Sequence, residues 1–294
     1  MKQLLVTLIL MMCSLNAARA GSVGFTQITL HDDPNRSLNV SIWFPTEQKG
    51  YVVVAPDHPG TTTYDRTIEN AAKWWQRPRD LSRVLTYMLE KSAWRGLLDT
   101  TDVTAIGHSL GGWSVLQLAG AGFDRETFKT QCTLFPNPRV CGLSDELGLS
   151  NKQLNEPERH QLVDHRVKRV VSFDLGMARS FSPMSLNGVK TPVLILAAGI
   201  DIGDLPQAQE SGYLAEHIPL QNRRYKVYEQ ASHFSFMQLC KDGAVDLLNQ
   251  EEPGDGIVCL DGKGANREAL HKQIFSDVVG FIENGHRNNT NGLR

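Results

Sequence analysis

Ser109 is the residue best placed in this chain to do covalent chemistry. It stands in Gly107-His108-Ser109-Leu110-Gly111-Gly112, directly after the apolar run Val103 to Ile106 and at the head of a helical pattern running to Ala119. A serine on a sharp strand-to-helix turn is held in strained backbone angles that lift its hydroxyl clear of the sheet. The N–H of the next residue, Leu110, is then aimed at the charge that develops on an attacked carbonyl oxygen. Small residues at Gly107 and Gly111 are expected to let the strand and the helix pass closely.

A serine hydroxyl becomes a nucleophile only when a base takes its proton. Behind such a turn the acid and then the histidine follow in chain order. Of the nine histidines, His233 fits best, because Ala231-Ser232-His233-Phe234 follows the strand-like run Tyr225 to Tyr228 by a short loop. His108 is expected to be locked in the turn and unable to reach its neighbour. His160 and His165 fall in a polar excursion, and His271 in the last helix reads as a packing residue. The acid must fix the imidazole tautomer from the end of a nearby strand. Sequence order leans slightly to Asp201, which follows Val193 to Ala197 through Gly199-Ile200, over Asp174, which ends Val170 to Phe173, with Asp204 third.

The elements that would position these residues alternate. Apolar, β-branched runs at Leu38 to Phe44, Tyr51 to Ala55, Val103 to Ile106, Val170 to Phe173, Val193 to Ala197 and Tyr225 to Tyr228 predict strands. Amphipathic patterns at Arg79 to Lys91, Ser109 to Ala119, Gln207 to His217 and Arg267 to Ile282 predict helices. Short apolar strands separated by helices indicate an α/β fold, a mostly parallel, doubly wound sheet covered on both faces. Phe25 to Leu30 and Leu38 to Phe44, joined across Asp32-Asp33-Pro34-Asn35, read as an antiparallel hairpin at its edge. The polar segment 123–166 breaks the rhythm and is a candidate lid.

The 294 residues are 41% hydrophobic and 21% charged, proportions that bury a real core in one domain, and the net charge of -2 gives no electrostatic reason to expect nucleic acid. Lys2, the apolar Leu4 to Met12 and Ala18-Arg19-Ala20 form an export signal at 1–20, with the mature domain expected at 21–294. Its apolar stretch is far shorter than the ~20 residues of a membrane span. Removal of the signal takes Cys13 and leaves Cys132, Cys141, Cys240 and Cys259. An even number in a periplasmic or secreted protein suggests two disulfides. Cys132–Cys141 and Cys240–Cys259 would each close a local polar loop, with two other connectivities open. No C-x-x-C occurs, so no metal site is expected at these cysteines.

A family resemblance rests on Tyr51-Val52-Val53-Val54-Ala55-Pro56-Asp57-His58-Pro59-Gly60-Thr61-Thr62, Arg77-Pro78-Arg79-Asp80-Leu81, the serine turn through Leu116-Gln117-Leu118, Ser172-Phe173-Asp174-Leu175-Gly176 and Ser232-His233-Phe234-Ser235-Phe236. From about Phe25 onward the chain resembles the bacterial predicted dienelactone hydrolases, which are similar to the platelet-activating-factor acetylhydrolases. The resemblance implies an α/β-hydrolase fold and hydrolysis of small or lipid-like esters without metal or cofactor. Acetylhydrolase-like members imply Asp174 as the acid, and dienelactone-hydrolase-like members imply Asp201. The likeness departs at one place. Trp43-Phe44-Pro45-Thr46-Glu47-Gln48 passes straight to Lys49-Gly50-Tyr51, where the family has a further buried strand, an oxyanion loop and a helix. The expected consequence is a sheet short of one central strand, read first as a deletion product with little activity, then as a site in which Gly60 or Thr61 substitutes as oxyanion donor, or as a scaffold that keeps the turn for binding.

Overall fold

The computed structural model describes residues 22–46, 50–62, 65–148, 159–201 and 205–290. The export signal at 1–20, the junction after Gln48, Asp204 and the stretch 149–158 lie outside the described residues. The chain divides between His58 and Pro59 into two compact units.

The first unit is an antiparallel sheet of β1 (Val23–Leu30), β2 (Leu38–Pro45) and β3 (Val53–Pro56) in the order β1-β2-β3. The hairpin expected from sequence is present, with Phe25 opposite Trp43 and Leu30 opposite Leu38. It belongs to this separate sheet, however, and not to the edge of the parallel one. Period-2 alternation buries Leu38, Val40 and Ile42 on one face, while Val23, Phe25, Trp43 and Val53 stand exposed on the other.

In the second unit a helix α1 (Gln76–Thr86), continued by a π-helical turn Tyr87–Lys91, leads to β4 (Val103–His108) and α2 (Leu110–Leu118). The polar excursion then forms α3 (Arg125–Leu134) and α4 (Pro138–Glu146). Both start on side-chain caps: Asp124 accepts from the Thr127 N–H, and Asn137, ahead of Pro138, accepts from the Val140 N–H. After β5 (Val167–Phe173) come α5 (Pro183–Asn187), β6 (Val193–Ile200), α6 (Ser211–His217), β7 (Arg223–Ser232), α7 (Ala244–Glu251) and α8 (Arg267–Thr290).

The four strands of this unit run parallel in the order β4-β5-β6-β7. β5 and β6 occupy the middle with both faces covered: β6 reads as a near-continuous apolar run, and β5 is buried from Arg169 to Ser172. Alternate residues go to opposite cores. Val170, Val193 and Ile195 pack with Trp113 of α2, Leu186 of α5 and Leu214 of α6. Val171, Leu194 and Leu196 pack with Leu270, Ile274, Val278 and Phe281 of α8. Helices therefore flank both faces. The expectation of a doubly wound sheet needs correction, since winding on both faces requires a reversal of strand order. Here the order never reverses among the described strands, so all three crossovers lie on the α2 face, and α8 packs on the other. Phe128 and Val140 anchor α3 and α4 in the crossover-side core.

Both cysteine pairs expected from sequence are within bonding distance, Cys132 with Cys141 and Cys240 with Cys259. Peptide mapping of the non-reduced chain is expected to return these two pairs and no crossed one. With its partners 19 positions apart, Cys240–Cys259 should contribute about 3 kcal/mol, read as the loss in urea-unfolding free energy on replacing both Cys240 and Cys259 by serine.

Candidate active site

Parallel pairing brings the carboxyl ends of β4 and β5 side by side, with His108 opposite Phe173. The ladder runs one residue further, because the Ser109 N–H donates to the Phe173 carbonyl at 3.0 Å. At Ser109 the chain turns through φ 55° and ψ −122° into α2, whose Trp113 N–H bonds back to the Ser109 carbonyl at 3.2 Å. Leu110 is the first helical residue, so its N–H has no partner within the helix and is free to face a ligand oxygen. The Ser109 hydroxyl is half-buried. Among the described residues it has no hydrogen-bond partner, the His233 imidazole included.

Of the two glycines expected to let strand and helix pass closely, Gly107 does so and Gly111 does not. A Cβ on Gly107 would stand 2.2 Å from the backbone carbon and oxygen of Gly111, and one on Gly112 would stand 2.7 Å from Ser172 Oγ. Around Gly111 nothing lies within 4 Å of that position. The close passage of strand and helix thus depends on Gly107 and Gly112, while Gly111 supplies only backbone.

Asp174 follows β5 with φ 38°, a left-handed conformation in a non-glycine residue. Its N–H donates to the Leu196 carbonyl at 2.7 Å, and its Oδ1 accepts from the Ala198 N–H at 2.8 Å. That leaves Oδ2 for His233, whose Nδ1 lies 2.8 Å away. Both side chains are buried. A carboxylate can only accept, so the proton sits on Nδ1 and Nε2 carries the lone pair that a general base needs. Asp201 is elsewhere: it is exposed, and its Oδ1 accepts from the Leu205 N–H at 2.8 Å in its own loop. The structure therefore pairs His233 with Asp174 and not with Asp201, the candidate placed first by chain order. Chain order cannot see the bend that turns the Asp174 carboxylate across the end of β6.

His233 opens the short 3₁₀ turn His233–Phe236 after β7. Ser232 and Ser235 cap that turn reciprocally, the Ser232 N–H donating to Ser235 Oγ at 2.8 Å. Ser235 Oγ also donates to Asp261, which holds Arg267 in an ion pair at 3.0 Å. His271 Nε2 lies 2.9 Å from the Ser235 carbonyl, and His108 Nε2 lies 2.8 Å from the His233 carbonyl. The sequence reading missed Asp261, Arg267 and both histidine contacts. Only the Ser232-x-x-Ser235 spacing is visible in the sequence as a capping signal. Among the described residues His108 makes no hydrogen bond to its chain neighbour Ser109; its ring meets the backbone of His233 instead.

Burial, then the adjacent His233, holds the His108 imidazole down at about 4, so this ring is neutral near pH 7. On the other side Glu210 is buried, its Oε2 accepting from the Ala178 N–H at 2.7 Å beyond the Asp174 bend. Arg179 Nε is 3.8 Å from Glu210 Oε1. Burial outweighs these partners and pushes the Glu210 carboxyl up to about 8. Of the substitute oxyanion donors, the Gly60 N–H is taken by Asp65 Oδ2 at 2.8 Å, and Thr61 Oγ1 accepts from Arg77. No group of three or more His, Cys, Asp or Glu suited to a metal occurs among the described residues.

No protein-family model matches the chain, and no curated protein matches it.

Two outcomes follow from this geometry. Gly107→Ala should lose about 1–3 kcal/mol in urea unfolding, because the clash is with backbone. Gly111→Ala should stay within about 1 kcal/mol of the parent, on the stabilising side.

For Glu210, the folded chain keeps a proton that the unfolded chain releases above 4.5. Its stability contribution is full below 4.5 and is lost as pH rises through about 8. Glu210→Gln, which still accepts from Ala178, should flatten that fall in a pH series of unfolding midpoints.

Proposed function

We propose that the chain is an exported serine hydrolase that cleaves carboxylic esters through an acyl-enzyme. The observation that carries this reading is the Asp174–His233 hydrogen bond at 2.8 Å, at the strand ends where Ser109 sits on a strained turn. In the reaction His233 Nε2 takes the proton as Ser109 Oγ attacks the ester carbonyl. The Leu110 N–H stabilises the oxyanion, and Asp174 stabilises the imidazolium. His233 then returns the proton to the leaving alcohol, and water, activated by the same nitrogen, releases the acid. These steps use only groups of this chain. The resemblance to predicted dienelactone hydrolases and platelet-activating-factor acetylhydrolases supports an α/β-hydrolase fold and small or lipid-like esters as substrates. Two cysteine pairs at bonding distance support a periplasmic or secreted location. No helix of the described residues is long and apolar enough to cross a membrane.

A second reading, a binding protein on the same scaffold, is favoured by one observation: the Gly60 N–H, a substitute for the second oxyanion donor, is spent on Asp65. Losing such a donor costs roughly 10²–10³ in rate. The two readings separate on p-nitrophenyl acetate, which a binding protein leaves at the background rate.

A fluorophosphonate probe is expected to label the purified chain at Ser109 and to leave Ser109→Ala unlabelled. Labelling that survives Ser109→Ala would overturn the mechanism. Asp174→Asn should lower kcat about 10⁴-fold, while Asp201→Asn should lower it less than about tenfold. The reverse ranking would return the acid to Asp201.

A further inference from the structure

His108 is one residue ahead of the proposed nucleophile, yet its ring faces the proposed base. Its Nε2 lies 2.8 Å from the His233 carbonyl oxygen, and the two imidazole rings are 4.5 Å apart between centroids, tilted by 35°. A carbonyl oxygen only accepts, so His108 must carry a proton on Nε2 and donate it. The Phe236 ring, 6.0 Å away and stacked on Phe173, closes the same side. His233 is therefore held at two points by two strands: Asp174, after β5, fixes its ring through Nδ1, and His108, at the end of β4, fixes its backbone.

We propose that His108 is a positioning residue for His233, a donor that locks the base's turn to the strand end bearing Ser109. The proposal deepens the esterase reading and rests on it for its kinetic consequences. Without the donor, the His233–Phe236 turn keeps its own capping box and its tether to Asp261, so the protein still folds. The distance between Nε2 and Ser109 Oγ is then no longer set from the nucleophile's side. Neutrality matters as well. When His233 becomes an imidazolium during turnover, the ring beside it carries no charge to oppose it, and burial together with His233 itself keeps His108 in that state. The charged or titratable groups acting on His108 are His233 and Asp174.

The test compares His108→Phe, which keeps bulk and loses the donor, with His108→Gln, whose amide N–H can reach the same carbonyl. His108→Phe should lower kcat on the order of 10²-fold with KM little changed, since a misplaced base affects the chemical step. His108→Gln should recover most of that loss, with both variants melting within a few degrees of each other. Full kcat in His108→Phe, or an equal loss in His108→Gln, would overturn the proposal. If His108→Phe does not fold, ¹⁵N NMR of the wild-type chain decides: a neutral, Nε2-protonated His108 is required, and an Nδ1-protonated ring would refute the donor role. The downfield Nδ1–H resonance of His233 reads position without turnover. It should shift or broaden in His108→Phe and persist in His108→Gln. That signal still tests the positioning role if the wild-type chain neither labels nor turns over ester, an outcome that would refute the esterase reading alone.

Discussion

Backbone hydrogen bonds at the carboxyl ends of β4, β5 and β6 fix where Ser109 stands and where Asp174 meets His233. The Ser109 N–H reaches the Phe173 carbonyl, the Asp174 N–H reaches the Leu196 carbonyl, and the Asp174 side chain turns back to the Ala198 N–H. Each strand thus hands its last ladder bond to a residue of the site. The register behind those bonds is held by burial. Val170 and Val171, like Leu194 and Ile195, go to opposite cores, so a one-residue slip would exchange both sets at once. Because the cores on both faces penalise that slip, the strand ends stay where the site needs them.

The histidine is positioned by a different device. Its turn follows the last described strand of the sheet, and among the described residues no strand beyond β7 holds it. The segment between Cys240 and Cys259 instead returns the chain to the turn and delivers Asp261, which accepts from Ser235 and from Arg267. Arg267 donates further to the carbonyls of Gln238, Val258 and Leu260. A buried ion pair contributes little to stability when its remaining donors are left unpaired. Here the guanidinium is bonded through all three of its nitrogens, so the pair specifies one geometry for the loop.

Those two devices differ in how far they could be read from sequence. The parallel strands, the serine turn and His233 were legible because each has a local signature: apolar runs, a glycine-flanked serine between strand and helix, and a histidine just after a strand. The two cysteine pairs followed from the short loops they close. Which aspartate meets His233 was not legible, since Asp174 and Asp201 both follow strands and only the bend at φ 38° distinguishes them. Gly111 was misread for the same reason: a motif shows which positions are small but not which of them faces an opposing backbone. The separate three-stranded sheet and the unreversed strand order are matters of pairing, which periodicity leaves open. His108, Asp261 and Arg267 act across long stretches of chain and have no signature in their neighbours.

Backbone strain adds an argument that no motif supplies. Three non-glycine residues among those described have positive φ: Ser109, Asp174 and Met177. Each such conformation costs about 1–3 kcal/mol, a large fraction of a typical stability of roughly 5–15 kcal/mol, and glycine would relieve it. Met177 offsets the cost by burying its side chain in the crossover-side core. Asp174 offsets it with the bonds to Ala198 and His233. Ser109 has no such return, because its hydroxyl is half-buried and unpartnered among the described residues. A side chain held in a strained conformation with no packing or hydrogen bond to offset the strain contributes nothing to folding that glycine would not. What glycine lacks is the hydroxyl, and the turn presents it within one residue of the Leu110 N–H. The cost at Ser109 is therefore better accounted for by chemistry at Oγ than by the architecture around it.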